Sequence, residues 1–291
     1  MDMHVPCVVF AFNRPEKLVR VLTALQQQNI DSLVVFVDGP RHDADVPSVR
    51  LCKAIAEHVD WTNTELHFGE QNQGLPGLAD NITLVLNEYP SAVFLEDDCL
   101  PMPGFYSFMH QALAHYKSFK EVFSIGGYQP ISQAFFENYQ YSLVSCARFM
   151  CWGWATWKHQ WESIASYRSS ISELFDGLRN VPDVAGSDMG NAARGCVRGE
   201  GPKTWAVQVA VAALWLRKVH LLPTRGLVRN IGFDGSGVHD TRYYARLNNQ
   251  NVSEKGLEKI VWLENVELNE EYIGRFKEYI KAMFEESSAH R

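Results

Sequence analysis

The chain has 291 residues, 46% of them hydrophobic and 21% charged, which suits a soluble globular protein with room for a sizeable core. A formal net charge of −7, with no run rich in Lys or Arg, argues against a nucleic-acid partner. No apolar run is long enough to span a bilayer, and Met1 leads into an apolar segment with no basic leader or signal core, so a cytoplasmic protein is expected.

Residues 5–12 form a near-continuous apolar run, the pattern of a buried parallel strand. Asn13-Arg14-Pro15-Glu16 then opens a helix: Asn13 can cap it and Pro15 suits its first turn. Leu18, Val21, Leu22 and Leu25 follow at helical spacing. Residues 33–37 read as a second strand that ends in Asp38-Gly39-Pro40-Arg41. A helix over 49–58 and a strand over 65–68 complete a βαβαβ half, and this alternation predicts a doubly wound α/β sheet. The Gly-containing loop 71–77 leads into a further helix that carries Asn81. Its glycines suit either a backbone approaching diphosphate or an ordinary turn.

Residues 92–95, Ala-Val-Phe-Leu, read as a buried strand that runs straight into Glu96, Asp97 and Asp98, then into Pro101, Pro103 and Gly104. That places three carboxylates at the C-terminal edge of the sheet, where open α/β sheets bind ligands. Adjacent carboxylates repel, so a cation or donor groups must hold them. A hard divalent ion with oxygen ligands, Mn²⁺ or Mg²⁺, suits the set and would bridge to phosphate. A solvated acidic turn is the plain alternative.

A helix is expected over 105–116 and a strand over 122–127. The stretch 146–157 contains Trp152-Gly153-Trp154-Ala155-Thr156-Trp157, with Trp161 close behind. Indoles stack on sugar faces, but any one of them serves equally as a core ring. Residues 186–202, rich in Gly, Ala and Asn with Arg194 and Arg198, read as a mobile loop, either an acceptor lid or a plain surface loop. A buried helix over 205–216 and a strand over 219–222 follow, then the Gly-rich segment 230–240 with His239. From Gly256 onward the chain reads as helical, with Tyr272, Ile273, Phe276, Tyr279, Ile280, Met283 and Phe284 on one stripe. Six cysteines without metal-ligand spacing read as buried free thiols in a reducing compartment.

Phe94-Leu95-Glu96-Asp97-Asp98-Cys99-Leu100-Pro101 resembles the Glu-Asp-Asp form of the Asp-x-Asp motif in GT-A nucleotide-sugar glycosyltransferases, N-acetylglucosaminyltransferase I and its bacterial relatives above all. The resemblance implies a GT-A fold over 1–255, a Rossmann-like and mostly parallel sheet with flanking helices, and a C-terminal helical extension over 256–291. It gives Asp98 the divalent metal on a nucleotide diphosphate and gives Glu96 and Asp97 the sugar and ribose. Arg14 and Asp38 fall where relatives contact the base, with Asn13 at the same donor site. Trp154 falls on the wall of the donor and acceptor pocket, and His239 on a loop over the diphosphate. The relatives' general base falls on Ala206, which cannot take a proton; Glu200 and Asp234 are the substitutes. The implied activity is transfer of a hexosyl or N-acetylhexosaminyl group from a UDP-sugar to a glycan or lipid-linked acceptor in bacterial surface polysaccharide synthesis, with peripheral contact at the inner membrane face left open. The alternatives are a catalytically impaired sugar-nucleotide binder and a sugar-phosphate nucleotidyltransferase.

Overall fold

A computed structural model describes residues 4–168, 183–198, 205–234, 251–257 and 259–289. Glu200 and His239 lie outside the described residues, as does residue 240 at the end of the Gly-rich segment.

The central sheet is built by eight strands: β1 (Cys7–Ala11), β2 (Ser32–Val37), β3 (Asn63–Phe68), β4 (Ser91–Glu96), β6 (Val122–Gly126), β7 (Leu143–Cys146), β8 (Trp154–Trp157) and β9 (Val219–Pro223). Their order across the sheet is β3-β2-β1-β4-β8-β6-β9-β7. The pairs β1–β2, β1–β4, β2–β3 and β6–β9 are parallel, while β8 runs antiparallel to both β4 and β6, and β7 antiparallel to β9. This is a mixed α/β fold with a mostly parallel central sheet and flanking helices, as the alternating pattern predicts. A separate ribbon pairs β5 (Cys99–Pro101) with β10 (Val228–Asn230).

Alternation along the strands explains why both faces are covered. Cys7, Val9, Leu33, Val35, Val93 and Leu95 point into one core with α1 (Pro15–Gln26), α2 (Val46–Glu57) and α4 (Phe105–Tyr116). Val8, Phe10, Val34, Phe36, Ala92 and Phe94 point into the other, against α3 (Gly74–Glu88), α5 (Lys158–Arg168), α6 (Ser187–Arg198) and α7 (Trp205–Trp215). A third cluster joins Val144, Cys146 and Leu222 to Tyr272, Phe276 and Ile280 of α8 (Glu270–Ala289). Buried on both sides, such strands read as continuous apolar runs.

Two expectations are corrected. The segment expected to be a mobile loop over 186–202 holds α6, because its apolar groups lie four apart. Met189 and Ala193 are buried on one face, hidden among polar and small residues. Gly186 makes the turn before it with φ +102°, and Arg148 donates from Nη1 and Nη2 to the two oxygens of Asp188, both at 2.8 Å. The other concerns 256 onward, where the chain is not helical until Glu270. Before that it runs over the body as a strap: Leu263 N donates to the Tyr116 hydroxyl at 2.8 Å, and Leu263 and Val266 are buried. Asn269 then starts α8 by accepting from Tyr272 N through its side chain at 2.8 Å. Among the described residues, no helix is long and apolar enough to cross a membrane.

Candidate functional site

The strand order places the connection from β1 to one side of the sheet and the connection into β4 on the other. The crevice between the C-terminal ends of these two strands is therefore a topological switch point. Phe10 pairs with Glu96 in register, and Asp97 N donates to Phe10 O at 2.9 Å, so the two strand ends finish level. The acids leave β4 at that point.

Their surroundings differ from one residue to the next. Asp97 is almost fully buried; one oxygen accepts from the backbone N–H of Phe12 at 3.2 Å and the other from Arg14 Nη2. Arg14 Nη1 reaches Asp98 Oδ2 at 2.7 Å, so one guanidinium spans both carboxylates. Burial raises the Asp97 carboxyl to about 6 despite the Arg14 charge beside it. Glu96 is half-buried at the end of β4, and burial, followed by repulsion from Asp98 and Asp97, raises it to about 8. Glu96 thus holds its proton through neutrality unless more positive charge arrives.

The β5–β10 ribbon closes the far side. Asn230 pairs with Cys99, and Ile231 N donates to Asp98 O at 2.8 Å. Gly232 follows, and a Cβ there would overlap Asp98 Oδ2 unless that carboxylate moved. Further along, Asp234 Oδ1 accepts from Lys17 Nζ at 2.8 Å, tying the Gly-rich segment to α1. The carboxylate considered as a substitute base is therefore engaged by an ammonium.

Other predicted residues lie elsewhere. The Asp38 carboxylate is taken up by its neighbour Gly39 and by the loop before α3: Oδ1 accepts from Gly39 N at 2.8 Å and Gln73 N at 2.9 Å, and Oδ2 from Asn72 Nδ2 at 2.8 Å and Gly74 N at 3.0 Å. The glycine turn before α3 thus spends its first N–H groups on Asp38. The Asn13 amide donates to Asp45 Oδ1 at 2.8 Å. Trp154 is 1% exposed and packs on Phe94, Phe149, Trp161 and Trp205, so here it is a core ring. Alternation in β8 sends Trp154 and Trp157 into opposite cores. The half-buried indole is Trp152, edge-on to Tyr128 and Phe233. Ala206 stands in the first turn of α7, half-buried against the core that contains Trp154 and Trp205.

Sequence reasoning missed Arg41 and Asp45. Asp45 is buried and accepts from Arg41 Nε at 2.9 Å, Arg41 Nη2 at 3.1 Å and Arg41 N at 3.2 Å, besides Asn13. The Arg41 bonds hold its carboxyl well below the usual range, against the opposing effect of burial. The i,i+4 spacing of Arg41 and Asp45 was visible, but nothing in the sequence marked Asp45 as buried.

Among the described residues, no three His, Cys, Asp or Glu side chains are grouped as a ready cation cage. The acids at the end of β4 fit a different arrangement, in which one or two carboxylates hold Mg²⁺ or Mn²⁺ and phosphate oxygens supply the other ligands. The raised Glu96 carboxyl marks a place where added positive charge is favourable.

No family model matches the chain, and no curated protein matches it. Among solved structures it is similar to the mannosyltransferase PcManGT from Pyrobaculum calidifontis in complex with GDP-Man and Mn²⁺, at 14% identity and a TM-score of 0.40 over 72% of this chain and 73% of that one. It is also similar to the 1–349 portion of TarS from S. aureus, at 12% identity and a TM-score of 0.43 over 86% and 67%. A cytidylyltransferase from Leptospira borgpetersenii serovar Hardjo-bovis gives 13% identity and a TM-score of 0.33 over 56% and 64%. Likeness at this level carries no chemistry to this chain.

Two outcomes are expected from this geometry. Asp38→Ala leaves three backbone N–H groups and an amide without their acceptor. It should lower stability by about 1–3 kcal/mol in urea titration, with Asp38→Asn costing less. In chelator, Glu96 and Asp97 bind protons more tightly folded than unfolded, so their contribution is full at low pH and is lost as pH rises through about 6 and about 8. The melting temperature should fall between about pH 5 and about pH 8, and Glu96→Gln should flatten that fall.

Proposed function

We propose that the chain is a glycosyltransferase that moves a sugar from a nucleotide diphosphate donor to an acceptor hydroxyl. The observation that carries this reading is the convergence of Glu96, Asp97 and Asp98 at the switch point between β1 and β4, beside Arg14 and under Gly232. A crevice there suits a dinucleotide-like ligand, and the motif resemblance supports the assignment. A UDP-sugar is the donor proposed, with Mn²⁺ or Mg²⁺ held by Asp98, and a glycan or lipid-linked acceptor of bacterial surface polysaccharide.

In this reading each acid has its own task. Asp98 is the protein ligand to the cation, which when bound supplies positive charge to the departing diphosphate. Glu96 presents a carboxyl at the crevice mouth for sugar hydroxyls. Asp97, buried and bound on each oxygen by Phe12 N–H and Arg14, is a positioning residue that fixes where Arg14 can reach. The donor is thus held by groups at two adjacent strand ends, those of β4 and β1.

The position of Ala206 favours a refinement. An acceptor hydroxyl is a poor nucleophile near neutrality, and a positioned base contributes roughly 10²–10⁴-fold to rate. If α7 carries the relatives' base position, a methyl group there leaves donor binding intact and transfer slow.

Asp98→Ala should abolish the metal-dependent part of nucleotide diphosphate binding with the fold retained. Calorimetry with and without Mn²⁺ measures this, and unchanged affinity removes Asp98 from the site. Ala206→Asp should raise the transfer rate by about an order of magnitude or more with little change in donor affinity. Fast turnover by the unmodified chain, insensitive to this change and lost in Glu200→Gln, would place the base elsewhere.

A further inference from the structure

Arg14, Lys17 and Arg41 are cations of the strand tips and α1, and the first two are spent. Arg14 gives both Nη groups to Asp97 and Asp98, and Lys17 gives its ammonium to Asp234. Arg41 differs. Asp45 takes its Nε and Nη2, while Nη1 has no partner among the described residues and the side chain is 50% exposed. A guanidinium carries five N–H donors and no acceptor, so donors remain on the outer edge of Arg41.

That edge is fixed in place. Arg41 Cζ lies 4.8 Å from the centroid of the Phe12 ring, so the cation rests on the ring while Asp45 grips one side. Phe12 is anchored in turn by its N–H on Asp97. Asp45 is buried and also bound by Asn13, which ties the tip of β1 to the turn before α2. An exposed Arg–Asp pair contributes little and stays loose. A buried carboxylate with four donors and an aromatic ring beneath the guanidinium removes that freedom. One aromatic residue therefore separates the acidic cluster from a rigid set of outward N–H donors at the tips of β1 and β2.

We infer that Arg41 reads the exocyclic edge of the donor's nucleobase and selects a keto oxygen over an amino group. The inference rests on the donor reading above. In that reading the diphosphate sits at the end of β4, and the row of parallel strand ends continuing through β1 and β2 offers the nucleoside its place, beside Arg41. Arg14 and Asp38, the residues aligned by resemblance with base contacts, are both committed to other partners. A donor-only group accepts a carbonyl oxygen as its partner and meets an exocyclic amine donor to donor, which leaves both unsatisfied.

The test uses two base pairs that each exchange amino for keto on one ring: ADP against IDP and CDP against UDP. Calorimetry with the unmodified chain and Mn²⁺ should show the keto member of each pair binding about tenfold or more tightly. Arg41→Gln, whose amide can donate or accept, should narrow both ratios to within a few-fold in a chain that still unfolds cooperatively, at a melting temperature lowered by the loss of two bonds to Asp45. Equal affinities within each pair, or ratios unchanged in a folded Arg41→Gln chain, would overturn the inference and leave Arg41 as a loop brace, with the donor reading intact. Binding of none of the four would overturn the donor reading and this inference together.

Discussion

The charge balance at the end of β4 is the constraint on which the rest of the crevice depends. Three consecutive carboxylates leave a strand buried on both faces, and side by side they repel. Arg14, delivered by the parallel neighbour β1, spans Asp97 and Asp98. The Phe12 N–H completes Asp97. Glu96 is left with no paired cation among the described residues, and burial keeps its proton on. Bringing these groups together requires β1 and β4 to be adjacent and to finish level, which the β3-β2-β1-β4 order achieves.

The acids around this crevice divide by how many of their acceptor sites are already used. Asp38 and Asp45 each accept four hydrogen bonds, Asp38 from Gly39 and the loop before α3, Asp45 from Arg41 and Asn13, and so brace the turns around the strand tips. Asp188 does the same between Arg148 and the start of α6. Asp98 and Glu96 keep acceptor capacity at the crevice. A motif treats all of these as aspartates and glutamates at strand ends; the hydrogen-bond partners tell a loop brace from a ligand.

Aromatic placement follows the same logic. Trp154 and Trp157 lie in a strand with both faces covered, so each indole is buried in a core. Trp152, one residue before the left-handed Gly153, is outside that strand and stays half-buried beside Phe233. Gly153 itself has no room for a Cβ, which would overlap Val228 of the ribbon that closes the site. The ribbon, the aromatic turn and the acidic strand end are thus packed as one unit.

The sequence by itself determined the alternating α/β order, the buried strands read at 5–12, 33–37 and 92–95, the helix at 105–116 and the three acids at a strand's end. These rest on local periodicity and on short-range chemistry that a chain carries with it. Only the tertiary structure decided that Arg14 spans the acids, that Asp38 is spent on the turn before α3, that Trp154 is core, that α6 forms where small residues suggested a loop, and that Asp45 fixes Arg41 over Phe12. Each of these depends on groups far apart in the chain or on how deeply one side chain is buried. Periodicity reports which face of an element is apolar, but the partner that a polar group finds is set by which strands become neighbours.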